Sequence, residues 1–443
     1  MGTGRTAIVI LGASGDLAKR KLVPALIHLC HSGKIDQSTV IVGEGRSDFS
    51  DAEFRNSFKT PEPLASMLFY HKGITGLKSF LADKGDFPRS IVFFALPPQV
   101  YSATARELVQ EGFGPDTSII IEKPFGADYQ TAVALNRQLS DCFDEQRIYR
   151  NDHYLAKEAV QNILVFRFAN SIFYPVWNNN YIESIQINAS EIEGVGTRSA
   201  YFDKAGILRD MVQNHLMQLL CLMTMEAPVS LGAEDIAEKK VELLRALSIE
   251  ACDRRQYEGY VKEPGVAPGS STETYVELIF RINNFRWAGV PVYLRCGKAL
   301  DRNGTEIGVR FKPVPGIVFD KQGPLPPNEI VFMIQPQEGI ILSMSSKEPG
   351  GELKLIKTNM NFCYHDSFSQ EIPEAYQRLL LDAIRGDHTL FVTARETELS
   401  WKALENVLDK GSVLPYKRGS VPPSSFGIQW IDFENYCCSC KLR

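Results

Sequence analysis

The chain has 443 residues, 44% hydrophobic and 23% charged, with a net charge of −5 at pH 7. That length exceeds one ordinary domain, so two are expected, and the composition is that of a soluble globular protein. No basic footprint for nucleic acid and no apolar run of membrane-spanning length is present, and an anionic substrate would need its own local cluster of cations.

The opening stretch MGTGRTAIVILGASG runs straight into a first strand, which leaves no room for a cleaved secretion signal. Residues 7–11 (AIVIL), 39–43 (TVIVG), 90–96 (SIVFFAL) and 117–122 (TSIIIE) are continuous β-branched runs, apolar on both faces. Such strands belong to a parallel sheet covered by helices. LAKRKLVPALIHLCHSG and VYSATARELVQEG read as helices between them. The alternation predicts a doubly wound, Rossmann-type domain over residues 1–150.

After residue 150 the pattern changes. DHYLAKEAVQNILVFRFAN and GILRDMVQNHLMQLLCLMTM read as two long helices. YIESIQINAS, TYVELIFRI, VPVYLRCG, EIVFMIQPQ, GIILSMSS and ELKLIKTN follow as strands, several of them alternating apolar and polar residues. This predicts an α+β domain over residues 151–443, built on a large, mainly antiparallel sheet with one exposed face. EAYQRLLLDAIRG and ELSWKALENVLDKG read as helices, and YVKEPGVAPGSST as a surface excursion. Nine scattered cysteines without paired spacing predict reduced thiols and a cytoplasmic protein. Cys437, Cys438 and Cys440 resemble half of a metal site, but no further Cys or His follows, so no metal is expected.

Directly after the first strand comes Gly12-Ala13-Ser14-Gly15-Asp16-Leu17-Ala18. Glycine there permits a tight turn and lets the backbone approach a pyrophosphate. The spacing departs from G-x-G-x-x-G, so its place after strand one carries the signal. The second strand ends in Gly43-Glu44-Gly45-Arg46-Ser47. Arg46 can pair with an adenosine 2′-phosphate, which favours NADP, whereas Glu44 could hydrogen-bond a free ribose and keeps NAD open as a second cofactor.

GASGDLAKRK (12–21), ALPP (95–98), EKPFG (122–126), NDHYLAKE (151–158), NHLMQLLCLMTME (214–226) and RCGKAL (295–300) together resemble the glucose-6-phosphate dehydrogenase family, over nearly the whole chain. The resemblance implies oxidation of glucose 6-phosphate at its anomeric carbon with NADP, the first step of the oxidative pentose phosphate pathway. It implies that His215 is the catalytic base and that Asp152 orients it. Read alone, His215 on the apolar HLMQLLCLM is a core histidine. His153 and Lys157 lie four apart on a predicted helix and so share a face with Tyr154 nearby. Read alone they are a surface pair; the resemblance assigns all three to the substrate phosphate. It assigns Glu191 and Asp210 to sugar hydroxyls, Lys298 and Gln335 to the substrate, and Lys123 to substrate and cofactor alike. Pro124 is expected to be a cis-proline or a rigid hinge.

The chain departs from the family's usual pattern at Asn151 and Ala156, where Ile and Gly are usual, and at Asn303, where Arg is common; whether Arg302 substitutes stays open. Animal members bind a second, structural NADP through basic residues, whose matching positions here are Gly304, Gly308, Met333 and Ser343. One NADP is therefore expected. A homodimer or a dimer of dimers is expected by analogy. Two rivals stand beside this reading: a related dehydrogenase of an unphosphorylated sugar, and a non-catalytic NADP-sensing protein.

Overall fold

The computed structural model describes residues 5–322, 325–368, 373–408 and 412–436. Six strands come first: β1 (Thr6–Leu11), β2 (Val40–Gly45), β3 (Leu68–Lys72), β4 (Arg89–Phe94), β5 (Thr117–Glu122) and β6 (Ile148–Asn151). Eight more follow: β7 (Ile182–Ser190), β8 (Leu247–Tyr257), β9 (Tyr275–Ile282), β10 (Pro291–Gly297), β11 (Gly304–Phe311), β12 (Glu329–Gln335), β13 (Gly339–Lys347) and β14 (Leu355–Cys363). β15 (Phe391–Val392) returns to the first sheet and β16 (Leu414–Tyr416) joins the second. Among the described residues no helix is long and apolar enough to cross a membrane.

The chain divides into two compact units, the first drawn from residues 1–157, 228–241 and 372–402, the second from the remainder. In the first, the sheet order is β15-β6-β5-β4-β1-β2-β3. All pairs are parallel except β15–β6. The order 3-2-1-4-5-6 is that of the dinucleotide-binding fold, with its switch point between β1 and β4. Val9, Leu11, Val42, Val92, Phe94, Ile119 and Ile121 pack in one core cluster. Such residues contribute roughly 1.5–3 kcal/mol each when fully buried. β3 (LFYHK) and β6 (IYRN) were not expected from the sequence, because each is short and mixes polar with apolar residues. Arg89 ties the helix Ala375–Arg385 to this sheet by donating to the carbonyls of Ala383 and Ile384 at 2.8 and 2.7 Å. Trp401, on the helix Ala394–Leu404, donates to the Phe125 carbonyl at 2.8 Å.

The second unit holds the sheet β14-β13-β12-β11-β7-β10-β9-β8-β16, antiparallel apart from β10–β7 and β16–β8. Its central strands depart from the expected exposed face. Gln186, Asn188, Glu277 and Glu306 are fully buried polar residues. Residues 423–436 lie over two of them: Gln186 accepts from the Ile431 N–H at 2.7 Å, and Glu277 accepts from Trp430 Nε1 at 2.8 Å, while Asn188 donates to Glu306 at 2.7 Å. The polar alternation was real, but the chain itself supplies the hydrogen bonds that water would have made. Cys30, Cys142, Cys221, Cys252 and Cys296 are free thiols. Cys363 is disulfide-bonded, which corrects the all-reduced expectation, and the 437–440 cluster lies outside the described residues.

Candidate active site

The glycine turn sits at the C-terminal edge of the first sheet, beside its switch point. Gly12 has φ +77, and a Cβ there would meet the Ala95 carbonyl oxygen at 2.5 Å, so only glycine fits. Ala13 N–H donates to the Glu44 carbonyl at 2.8 Å and Gly15 N–H to that of Gly12 at 2.9 Å, which closes the turn. Asp16 and Leu17 start the helix, which passes through a π segment, Ala18–Leu22, into Val23–His31. Ser14 is half-buried, Gly15 and Asp16 are exposed, and Asp16 is held by Arg20 at 2.7 Å. Arg46 is exposed just past β2. A bare glycine edge at a switch point, with a cation beside it, fits a phosphorylated dinucleotide.

The same unit carries a second group at the ends of β5 and β6. Asp152 is buried, and its Oδ1 accepts from the Tyr154 N–H at 3.0 Å. The expected helix does not include this stretch. Residues 153–157 form turns, with Leu155 N–H on the Asp152 carbonyl and Lys157 N–H on that of Tyr154, and the helix begins at Glu158. His153 and Lys157 are therefore not an i,i+4 pair on a helical face. Tyr154 brings them together instead: its ring lies 5.2 Å from that of His153 and 5.5 Å below the Lys157 ammonium. Lys123 is half-buried, and the Lys123–Pro124 bond is cis, as expected.

Within the second unit, His215 lies on a π-helical segment, Leu208–Leu216, that also carries Asp210. Segments of this kind, bonded i→i+5, recur at functional sites. The segment starts after a break at Gly206 (φ +70), where the buried Glu273 accepts from the Leu208 N–H at 3.3 Å. Glu273 is in turn paired with Arg254 at 2.5 Å. His215 and Asp210 are each 1% exposed. Asp210 pairs with the exposed Arg198 at 3.2 Å. Glu191 and Lys298 form an ion pair at 2.5 Å, the lysine lying 5.4 Å from the Phe202 ring. Gln335 ends β12 and opens a cis bond to Pro336. Arg302 is committed to Glu306 by two hydrogen bonds of 2.7 and 3.1 Å, and Asn303 accepts from the Ile192 N–H at 2.7 Å. Arg302 thus serves the sheet.

Residues 9–162 match the family model of the glucose-6-phosphate dehydrogenase NAD binding domain, and residues 164–429 that of the C-terminal domain. The chain belongs to the glucose-6-phosphate dehydrogenase family. It is 39% identical to glucose-6-phosphate 1-dehydrogenase 5, cytoplasmic, of Arabidopsis thaliana, over 95% of this chain and 90% of that one. It is 38% identical to the glucose-6-phosphate 1-dehydrogenase of Bacillus subtilis, over 95% of each. A solved glucose-6-phosphate dehydrogenase in complex with its substrate glucose-6-phosphate matches with TM-score 0.90 and 34% identity, over 97% of this chain and 99% of that one.

Family membership makes two residues that the sequence reading passed over worth naming. Glu122 opens the EKP string, and its half-buried carboxyl is pushed up to about 7, mainly by burial. Tyr376 donates to it at 3.1 Å from the helix Ala375–Arg385. An acid at the end of the apolar run TSIIIE was the available signal for Glu122; its partner 254 positions along the chain had none.

Proposed function

We infer that this chain is an NADP-dependent glucose-6-phosphate dehydrogenase, oxidising glucose 6-phosphate at its anomeric carbon to 6-phosphogluconolactone. Family membership carries the reading. The grouping of His153 and Lys157 about Tyr154 favours a phosphorylated sugar over a free one. The exposed Arg46 favours NADP.

In this reading His215 takes the proton of the anomeric hydroxyl, and Asp152 stabilises the imidazolium that forms. NADP, when bound along the glycine turn (Gly12, Ser14, Gly15, Asp16, Leu17) and beside Arg46, supplies the ring that accepts hydride. His153, Tyr154 and Lys157 hold the phosphate, and Glu191 and Asp210 accept from sugar hydroxyls. Lys298 positions Glu191 through their ion pair, and Lys123 and Gln335 complete the substrate contacts. Cofactor binding belongs to residues 1–150, and substrate binding and assembly to 151–443. Assembly as a homodimer or dimer of dimers, and a cytoplasmic location, belong to the same proposal, the latter in line with the cytoplasmic Arabidopsis relative.

Cofactor reduction recorded with glucose 6-phosphate, with glucose and with no substrate tests the reading. Turnover with glucose 6-phosphate alone is expected. Equal rates on glucose would favour the unphosphorylated-sugar rival, and no turnover at all the sensing protein.

A further inference from the structure

Glu122 and Asn151 face each other as the last register pair of the adjacent parallel strands β5 and β6. Asn151, where the family usually has isoleucine, donates from Nδ2 to Glu122 Oε1 at 2.5 Å. Tyr376 donates to the same oxygen at 3.1 Å. The Glu122 backbone is fixed as well: Tyr101 Oη donates to its carbonyl at 3.0 Å and accepts from its N–H at 3.2 Å. The next residue along each strand is one assigned to the reaction, Lys123 after Glu122 and Asp152 after Asn151. A rung held this firmly sets the direction in which both leave the sheet.

We propose that Glu122, clamped by Asn151 and Tyr376, is a positioning residue that fixes where Lys123 and Asp152 leave the ends of β5 and β6 for the reaction. The proposal rests on the assignment of Lys123 and Asp152 given above. The groups that bear on Glu122 are Lys123 just past the end of β5, Asn151 and Asp152 at the end of β6, Tyr376 on the helix Ala375–Arg385, and Tyr101. Burial raises its pKa to about 7, while the Asn151 and Tyr376 hydrogen bonds and the Lys123 charge pull it down and Asp152 pushes it up. As pH rises through neutrality Glu122 becomes the carboxylate whose Oε1 both Asn151 and Tyr376 hold, and the rung that sets Lys123 and Asp152 is complete. Two deprotonations, at Glu122 and at the base, are then required on the acid side.

The test is the pH dependence of kcat/KM for glucose 6-phosphate. In the wild type its logarithm is expected to rise with a limiting slope of two, and in Glu122→Gln, which keeps the shape without the charge, with a slope of one. Asn151→Leu and Tyr376→Phe each remove a hydrogen bond that favours the carboxylate, so each should move the upper step to higher pH. The KM at high pH should stay within about twofold, because the effect lies in positioning and not in uniform binding. A slope of two persisting in Glu122→Gln overturns the proposal. Should that variant not fold, an unmoved step in both other variants overturns it equally. A wild type that fails to turn over glucose 6-phosphate overturns the assigned reaction instead, and an active wild type with an unchanged Glu122→Gln profile overturns only the role of Glu122.

Discussion

The Gly12 N–H donates to the Glu44 carboxylate across 3.3 Å, so the acid near the end of β2 is turned inward onto the glycine turn. Burial raises its pKa more than this hydrogen bond lowers it, which marks Glu44 as part of the turn's framework. Arg46, two residues further on, is exposed and faces solvent in its place. Arg46→Ala should therefore weaken NADP by roughly 10- to 150-fold, equivalent to the ~1.5–3 kcal/mol of a charge-assisted hydrogen bond, and leave NAD nearly untouched. Dissociation constants for both cofactors check this. Equal losses would place the 2′-phosphate away from Arg46.

His215→Asn should lower turnover by roughly 10²–10⁴-fold, the usual worth of a positioned base. The KM for glucose 6-phosphate should change far less, because a base acts mainly in the transition state. Steady-state kinetics at saturating NADP decide it. Near-normal turnover would return His215 to the role of a core histidine in an apolar helix.

Lys157→Ala should raise the KM for glucose 6-phosphate strongly and spare any slow reaction with glucose. The ammonium lies 5.5 Å over the Tyr154 ring, in a turn and not on a helix, so that ring is one of the groups that place it. Tyr154→Leu should consequently mimic much of the effect, although it removes no charge. An unchanged KM in Lys157→Ala would move the phosphate site elsewhere.

The first sheet was legible because its strands are unbroken apolar runs such as AIVIL and TSIIIE, which a doubly covered parallel sheet demands. β8 was not, since LSIEACDRRQY hides its charges in pairs such as Arg254–Glu273 and Arg255–Asp253 that only folding creates. The helix start was misplaced at 152 because DHYLAKEAVQNI has helical periodicity throughout, while the Asp152 side chain competes for the Tyr154 N–H and keeps the first turn out of the helix. Most of the candidate site residues rest on the resemblance. Local chemistry alone marked Gly12 and Arg46, because a turn and a cation act where they stand. The role proposed for His215 had no local signal, because its own stretch HLMQLLCLM reads as apolar core.

The helix Met217–Thr224, which continues the His215 segment, is closed by Arg167. This buried guanidinium donates to the carbonyls of Leu222 at 2.6 Å and Met225 at 2.7 Å. Arg167→Met keeps the bulk but leaves both acceptors without it, at about 1–3 kcal/mol for each carbonyl left unsatisfied. A lowered denaturant midpoint with an unchanged m-value is the expected result. A midpoint equal to that of the wild type would show that water or a neighbour replaces the guanidinium.

The number of cofactors per chain follows from what fills the second sheet. At Gly308, where the resemblance sets a basic residue of animal members, a Cβ would meet Ile431 at 2.5 Å and Phe433 at 3.2 Å. Met333, at another such position, packs in one apolar cluster with Ile431, Phe433 and Tyr436. Ser343 is fully buried. A bound dinucleotide needs fixed cations around its phosphates, because a buried polyanion without partners is expelled. Gly308 and Met333 offer apolar packing instead. One NADP per chain is therefore expected by calorimetry, bound at the glycine turn. It should raise the melting temperature, since a ligand at 100 times its dissociation constant adds about 2.7 kcal/mol to stability. The rise should vanish in a Gly12→Asp/Arg46→Ala double variant, where an added side chain would meet the Ala95 carbonyl and the phosphate partner is gone. Two NADP per chain in the wild type, or a full thermal shift surviving in the double variant, would establish a second site and show that residues 431–433 do not close off this part of the sheet.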